Sequence, residues 1–200
     1  MPQLLIATTN AGKAAEFRQL LAGCGWEVVT PDELGLNLQV EETGQSYAEN
    51  ATIKAVEYSQ ANGLVALADD SGLEVDALGG RPGILSARYA GPDLTDPERV
   101  QALLGELAGV PDEERTARFR AVIAIAEPGG RVELVEGTVE GRIAREPRGE
   151  NGFGYDPVFL LPKRGVTTAE LPPDEKNAIS HRGVAARKAR VVLEKMLRET

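Results

Sequence analysis

A chain of 200 residues, 42% hydrophobic and 26% charged, has the balance of an ordinary soluble globular protein and room for one domain, or one domain with a small lobe. A formal net charge of −9 without a long Lys/Arg run argues against a duplex nucleic-acid binder, which works by neutralising phosphates, yet leaves room for one small polyphosphate held by a few placed cations and a metal ion. The lone Cys24 cannot make an internal disulfide, the apolar run Leu4–Ala7 is too short for a signal peptide, and no stretch reaches the ~20 apolar residues of a membrane helix, so a soluble protein of the reducing cytoplasm with no membrane partner is expected.

Leu4 to Ala7 reads as a short buried strand, followed by a polar turn over Thr8–Gly12. Lys13 to Leu21 has Phe17, Leu20 and Leu21 at helical spacing, and Gly23 and Gly25 end that helix. Trp26–Val29 can form a second strand, so the chain opens as an α/β sheet. Residues 31–45 are irregular and acidic. Ser46 with Glu49 three residues on predicts a capping box and a helix to about Ala61, which Asn62-Gly63 stops. Leu64–Ala68 reads as a buried strand that ends at Asp69-Asp70-Ser71-Gly72. A loop is expected over Gly79–Gly83, then a helix over Pro97–Leu107 capped by Asp96. Thr116–Ala126 and Val132–Ala144 form a hairpin about Glu127-Pro128-Gly129-Gly130. Pro162–Pro173 reads as loop, and Arg182–Leu197 as a terminal helix with Ala185, Ala189, Val192 and Met196 on one face. The fold class expected is α/β, an elongated mixed sheet with flanking helices.

Four segments carry chemistry. Ala7-Thr8-Thr9-Asn10-Ala11-Gly12-Lys13 lies between a strand and a helix, where free N–H groups and the helix dipole suit a phosphate and Lys13 adds a full charge. It is nearly a Walker A loop, but Ala7 stands at the first Gly position and Ala14 at the magnesium-binding Ser/Thr; an ordinary strand–helix turn is the plainer alternative. Glu41-Glu42, Glu49 and Asp69-Asp70 are acidic groups at strand ends or helix starts, suited to magnesium, with solvated surface charge as the alternative. Asn151-Gly152-Phe153-Gly154-Tyr155-Asp156-Pro157 sets two rings between glycines, either to stack on a base or as a tight turn with two core rings. Lys176-Asn177-Ala178-Ile179-Ser180-His181-Arg182-Gly183 is donor-rich and holds the sole histidine.

Taken together, ATTNAGK, EETGQSYAENATIKA, ADDSGLEVDALGGRPGILSARYAG, NGFGYDPVF and KNAISHRG, in this order, closely resemble the inosine/xanthosine triphosphate pyrophosphatase family over about Leu4 to Ala189. The resemblance implies one nucleoside triphosphate pyrophosphatase domain over residues 1–200, two lobes around a nucleotide-binding cleft, and a homodimer. It implies magnesium-dependent hydrolysis of deaminated purine triphosphates to monophosphate and pyrophosphate. By motif position, Thr8, Thr9, Asn10, Ala11, Gly12 and Lys13 hold phosphates. Asp70 is the general base and a metal ligand, and Glu42 or its neighbour Glu41 is the other ligand. Ser71, Phe153, Gly154, Tyr155, Asp156, Lys176, His181 and Arg182 line the nucleotide site. The departures are Thr9 and Asn151, each where many members have Gly, and Val184, where a polar residue is common.

The chemistry implied is attack by a water that a carboxylate orients and deprotonates, with magnesium, Lys13 and Lys54 neutralising the triphosphate. Two other readings stand beside it. One is a pyrophosphatase for modified pyrimidine or ordinary triphosphates; the other is a non-catalytic nucleotide-binding module, which needs no Asp70 beside a second acidic cluster.

Overall fold

The computed structural model describes Met1–Glu199. Its strands are β1 (Gln3–Ile6), β2 (Glu27–Val29), β3 (Val65–Val75), β4 (Thr116–Ala126), β5 (Val132–Ile143), β6 (Phe159–Leu161) and β7 (Val166–Thr167). Its helices are α1 (Ala11–Leu20), α2 (Tyr47–Asn62), α3 (Asp96–Glu106), α4 (Pro173–Ile179) and α5 (His181–Glu199). The strands follow the order β2-β1-β3-β4-β5-β6-β7, with β1 parallel to β2 and β3, and β6 antiparallel to β5 and β7. This is the mixed α/β class expected. No helix among the described residues is long and apolar enough to cross a membrane.

The chain divides into two compact units. The first holds Met1–Asp70, Ala121–Gly137 and, among the described residues, Arg182–Glu199. Its core follows from the two-residue period of its strands. Leu4, Ile6, Leu67, Ile123 and Ile125 pack with Phe17 of α1 and Ala185, Ala189 and Leu193 of α5. The intervening Leu5, Ala7, Ala66, Ala68 and Ala124 pack with Ala51, Ala55 and Tyr58 of α2. Helices therefore cover both faces, as parallel strands require. Trp26 is anchored at its polar edge, where Nε1 donates to the Leu193 carbonyl at 3.1 Å.

Helix α1 begins two residues before the expected Lys13, because Asn10 caps it: its Oδ1 accepts from Lys13 N at 2.9 Å. Ser46 caps α2 as expected, but only half of a capping box forms. Ser46 Oγ accepts from Glu49 N, whereas the Glu49 carboxylate takes Gln45 N instead. Gly63, at φ 72°, closes α2 in the left-handed region where a side chain is disfavoured.

Strand β3 departs most from the sequence expectation. Asp69-Asp70-Ser71-Gly72 was expected to end it, and the strand instead runs on to Val75. Local turn chemistry yields here because other elements satisfy the polar groups: cations from α1 and α5 meet Asp69, and an α2 amide meets Asp70. As neighbours within one strand, the two carboxylates point to opposite faces.

The second unit holds Ser71–Arg120 and Thr138–His181. Its core joins Leu73 and Val75 of β3, Val100 and Leu103 of α3, Phe119 of β4, and Val158 and Phe159. Thr95, not the expected Asp96, caps α3, in a capping box with Glu98. Asp96 is the first helical residue, and its Oδ2 accepts from Gly154 N at 2.8 Å. The segment read as loop over Pro162–Pro173 contains β7 and a 3₁₀ turn at Thr168–Glu170. Strand β6 and helix α4 were not expected either; three and seven residues are too short to show a period.

Candidate active site

In the first unit, β3 delivers Asp69 to the α1/α5 face. Asp69 Oδ1 lies 3.1 Å from Lys13 Nζ, while Oδ2 accepts from Arg182 Nε at 3.2 Å and Nη2 at 3.0 Å. Arg182 Nη1 donates to Glu16 Oε2 at 2.6 Å. Lys54, from α2, donates to the Asp69 carbonyl at 2.8 Å and pairs with Glu42 at 3.0 Å. Lys13 sits in the first turn of α1, beside the N–H groups of Ala11 and Gly12, which have no intrahelical acceptor at a helix start. Thr8 Oγ1 accepts from Asn10 N at 3.2 Å, which folds the turn before the helix, and Thr9 is exposed.

These charges are not evenly compensated. Burial alone would raise the Asp69 carboxyl, but Lys13, Arg182 and Lys54 outweigh it and hold it far below the usual range. Burial also lowers Lys13. Asp69 works against that, while Arg182 and Lys54 push the same way, so Lys13 ends below its ordinary value. The Lys13–Asp69 contact is thus no isolated ion pair, because the carboxylate is shared with Arg182.

Asp70 faces α2. Its Oδ2 accepts from Asn50 Nδ2 at 3.1 Å, and Asn50 Oδ1 accepts from Gly44 N at 2.8 Å, so the fully buried amide ties Asp70 to the segment that carries Glu41 and Glu42. Gly44 permits the approach: a Cβ there would stand 2.6 Å from Asn50 Oδ1. Burial pushes the Asp70 carboxyl up; Lys54, Asn50 and Lys13 oppose this, and the Glu42 charge adds to the rise. Glu42 is half-buried and Glu41 exposed.

A divalent cation fits this arrangement. Asp70 and Glu42 are carboxylates near enough to repel, and a cation shared by them would relieve both that repulsion and the burial of Asp70. Among the described residues no three His, Cys, Asp or Glu side chains form a closed cage.

The second unit gathers the aromatic and donor-rich segments. Asp156, buried, accepts from Phe153 N at Oδ2 (2.9 Å) and from Thr168 Oγ1 at Oδ1 (2.8 Å), and pairs with the buried Lys176. Lys176 Nζ also stands 5.0 Å from the centre of the half-buried Phe153 ring. Gly152, at φ 78°, is needed for this closure, since a Cβ would fall 2.1 Å from Asp156 Oδ2. Of the two rings offered for stacking, Tyr155 is a core residue whose hydroxyl donates to the Ser86 carbonyl at 2.8 Å, which leaves Phe153 as the more open face. His181 is 5% exposed, at the start of α5. Ser71 follows Asp70 in β3.

The structure thus brings Lys13, Asp69, Arg182, Lys54 and Glu42 into one linked group, with Asp70 tied to it through β3, and Phe153, Asp156 and Lys176 into another. Sequence reasoning gave no role to Asn50, Glu16 or Thr168. Asn50 had a readable signal: a polar residue within the Tyr47, Asn50, Ala51, Ala55, Tyr58 stripe that α2 buries.

Residues 4–192 match the model of the Ham1 family. A dITP/XTP pyrophosphatase of Bacillus licheniformis is 50% identical over 194 residues, covering 97% of this chain and 99% of that protein. One from Methylococcus capsulatus is 51% identical over 187 residues, with 92% of each chain covered. A Ham1 protein structure from Coxiella burnetii has a TM-score of 0.88 at 45% identity, covering 98% of this chain and 100% of that one. The Staphylococcus aureus Ham1 protein gives 0.86 at 40%, covering 97% and 99%.

Proposed function

The chain belongs to the Ham1 family, and on that premise we propose that it hydrolyses deaminated purine nucleoside triphosphates, those of inosine, deoxyinosine and xanthosine, to the monophosphate and pyrophosphate. The observation that carries the reading is the cation group of Lys13, Lys54 and Arg182 around Asp69, with Asp70 the next residue of the same strand. Such a group suits a polyanion next to a carboxylate able to handle a proton.

The first turn of α1, from Thr8 to Lys13, binds phosphate oxygens through N–H groups and the Lys13 ammonium. Arg182, whose Nε, Nη1 and Nη2 reach Asp69 and Glu16, keeps Asp69 and with it Lys13 in place. A water attacks the α-phosphorus in line with the bridging oxygen to the β-phosphate. Asp70, held by Asn50, accepts the water's proton. The bond between the α-phosphorus and that bridging oxygen breaks, pyrophosphate leaves, and the proton passes from Asp70 to solvent. Asp70 and Glu42 would hold magnesium, which when bound supplies further neutralisation of the triphosphate. Glu41, exposed, is assigned no contact with it.

For the base, Phe153 offers a ring face and His181 an imidazole N–H for the 6-oxo group. Asp156 and Lys176 shape the Gly152–Asp156 turn around Phe153. An adenine 6-amino group in place of the oxo group would leave the donor unpaired, which costs about 1–3 kcal/mol for each buried polar group so stranded. The specificity constant for inosine triphosphate is expected to exceed that for adenosine triphosphate by about 10²-fold or more. Equal constants for the two would reject purine selection and leave a pyrophosphatase for ordinary triphosphates.

A further inference from the structure

Phe119 of β4 has no polar side-chain atom to offer a ligand. It is a core residue, 8% exposed, whose ring lies almost flat on the imidazole of His181, with centroids 4.7 Å apart and planes 15° from parallel. Phe159, fully buried, also contacts it, at 4.4 Å and 42°. The three rings form a run in which Phe119 is the middle member and His181 the polar end.

The consequence lies in hydrogen-bond direction. Both imidazole nitrogens point outward in the plane of the ring, so the tilt of that plane decides where a donor aims. The last torsion of histidine is broad, and nothing in the residue itself selects one tilt. A hydrogen bond weakens steeply once it bends. A flat aromatic face packed on the imidazole removes the tilt, and does so before any ligand arrives, so the ordering cost is not taken out of the binding step.

We propose that Phe119 is a positioning residue for base selection: its ring fixes the plane of His181 so that the imidazole donor meets a 6-oxo purine. The inference rests on the reading of His181 as the group that recognises the base. A ring that merely filled the core would matter for stability alone, and would act as Phe159 does.

Four variants separate these cases: Phe119→Leu, Phe159→Leu, His181→Ala, and Phe119→Leu combined with His181→Ala. The first reading is the ratio of specificity constants for inosine over adenosine triphosphate. His181→Ala is expected to lower it by about tenfold or more, the loss of one buried hydrogen bond. Phe119→Leu should lower it by about three- to tenfold, and should lower it no further once His181 is gone. Phe159→Leu should reduce the melting temperature but leave the ratio within about twofold. The second reading needs no substrate. His181 is the sole histidine, so its ring protons give an unambiguous NMR signal. The ring-current displacement of that signal should vanish in Phe119→Leu and persist in Phe159→Leu. A lowered ratio in His181→Ala with an unchanged ratio in Phe119→Leu overturns the positioning role and leaves the His181 reading standing. An unchanged ratio in His181→Ala overturns that reading and the inference with it. An imidazole signal that Phe119→Leu does not move overturns the stack itself.

Discussion

Asp70→Asn is expected to cut turnover of inosine triphosphate by about 10²–10⁴-fold, the usual range for a lost general base, while the protein stays folded. The substitution keeps the shape of the side chain and an oxygen for Asn50 Nδ2, so the Asn50 link to Gly44 survives. It also removes a charge that burial disfavours and that Glu42 opposes, so the fold loses little from neutralising it. What it removes is the ability to take a proton and one of the two carboxylates proposed for magnesium. The measurements are kcat at saturating magnesium and a thermal unfolding scan. A folded variant with near-normal kcat would take Asp70 out of the chemistry.

Asp69→Ala is expected to cost stability first, and to loosen Lys13 as well. The Asp69 side chain is completely buried and takes Arg182 on one oxygen and Lys13 on the other. Removing it strands the buried Arg182 and leaves the half-buried Lys13 without its carboxylate, and breaking one partner out of a buried ion group costs about 3–5 kcal/mol. Glu16 still holds Arg182, which places the loss toward the lower figure. In a chain of this size that is a fall in melting temperature of about 6–15 °C. A fall of about 1 °C or less would mean that Lys13 and Arg182 find water or other partners without cost, and that the group around Asp69 does not hold the unit together. Two adjacent aspartates thus meet different partners because a strand turns consecutive side chains to opposite faces.

How much of this was legible in the sequence depends on whether the deciding interactions are local. Helices α1, α2, α3 and α5 and strands β4 and β5 announced themselves by period, caps and turns, within about two residues at each end. Strand β3 did not, because Asp69-Asp70-Ser71-Gly72 is turn-like on its own and is kept extended only by Lys13, Arg182 and Asn50, which come from other elements. The same holds at the candidate site. Lys13, Asp70 and Glu42 stood out as charges in suggestive places, and the motif order tied them to a family. Nothing local told that Arg182 reaches Asp69 and Glu16, over 100 residues away in sequence, while its chain neighbour His181 packs on Phe119. Nor could spacing show that Asp156 and Lys176 would pair, a partnership that depends on the turn at Gly152 and on Thr168.

The bond that is cut is the most direct test of the account. Inosine triphosphate incubated with the enzyme and magnesium, with products followed by phosphorus NMR, should give inosine monophosphate and pyrophosphate in equal amounts. Chelation should stop the reaction and added magnesium should restore it. Inosine diphosphate with orthophosphate would place the attack on the γ-phosphorus and contradict the mechanism built on Asp70. No turnover with magnesium present would contradict the assignment of an enzyme.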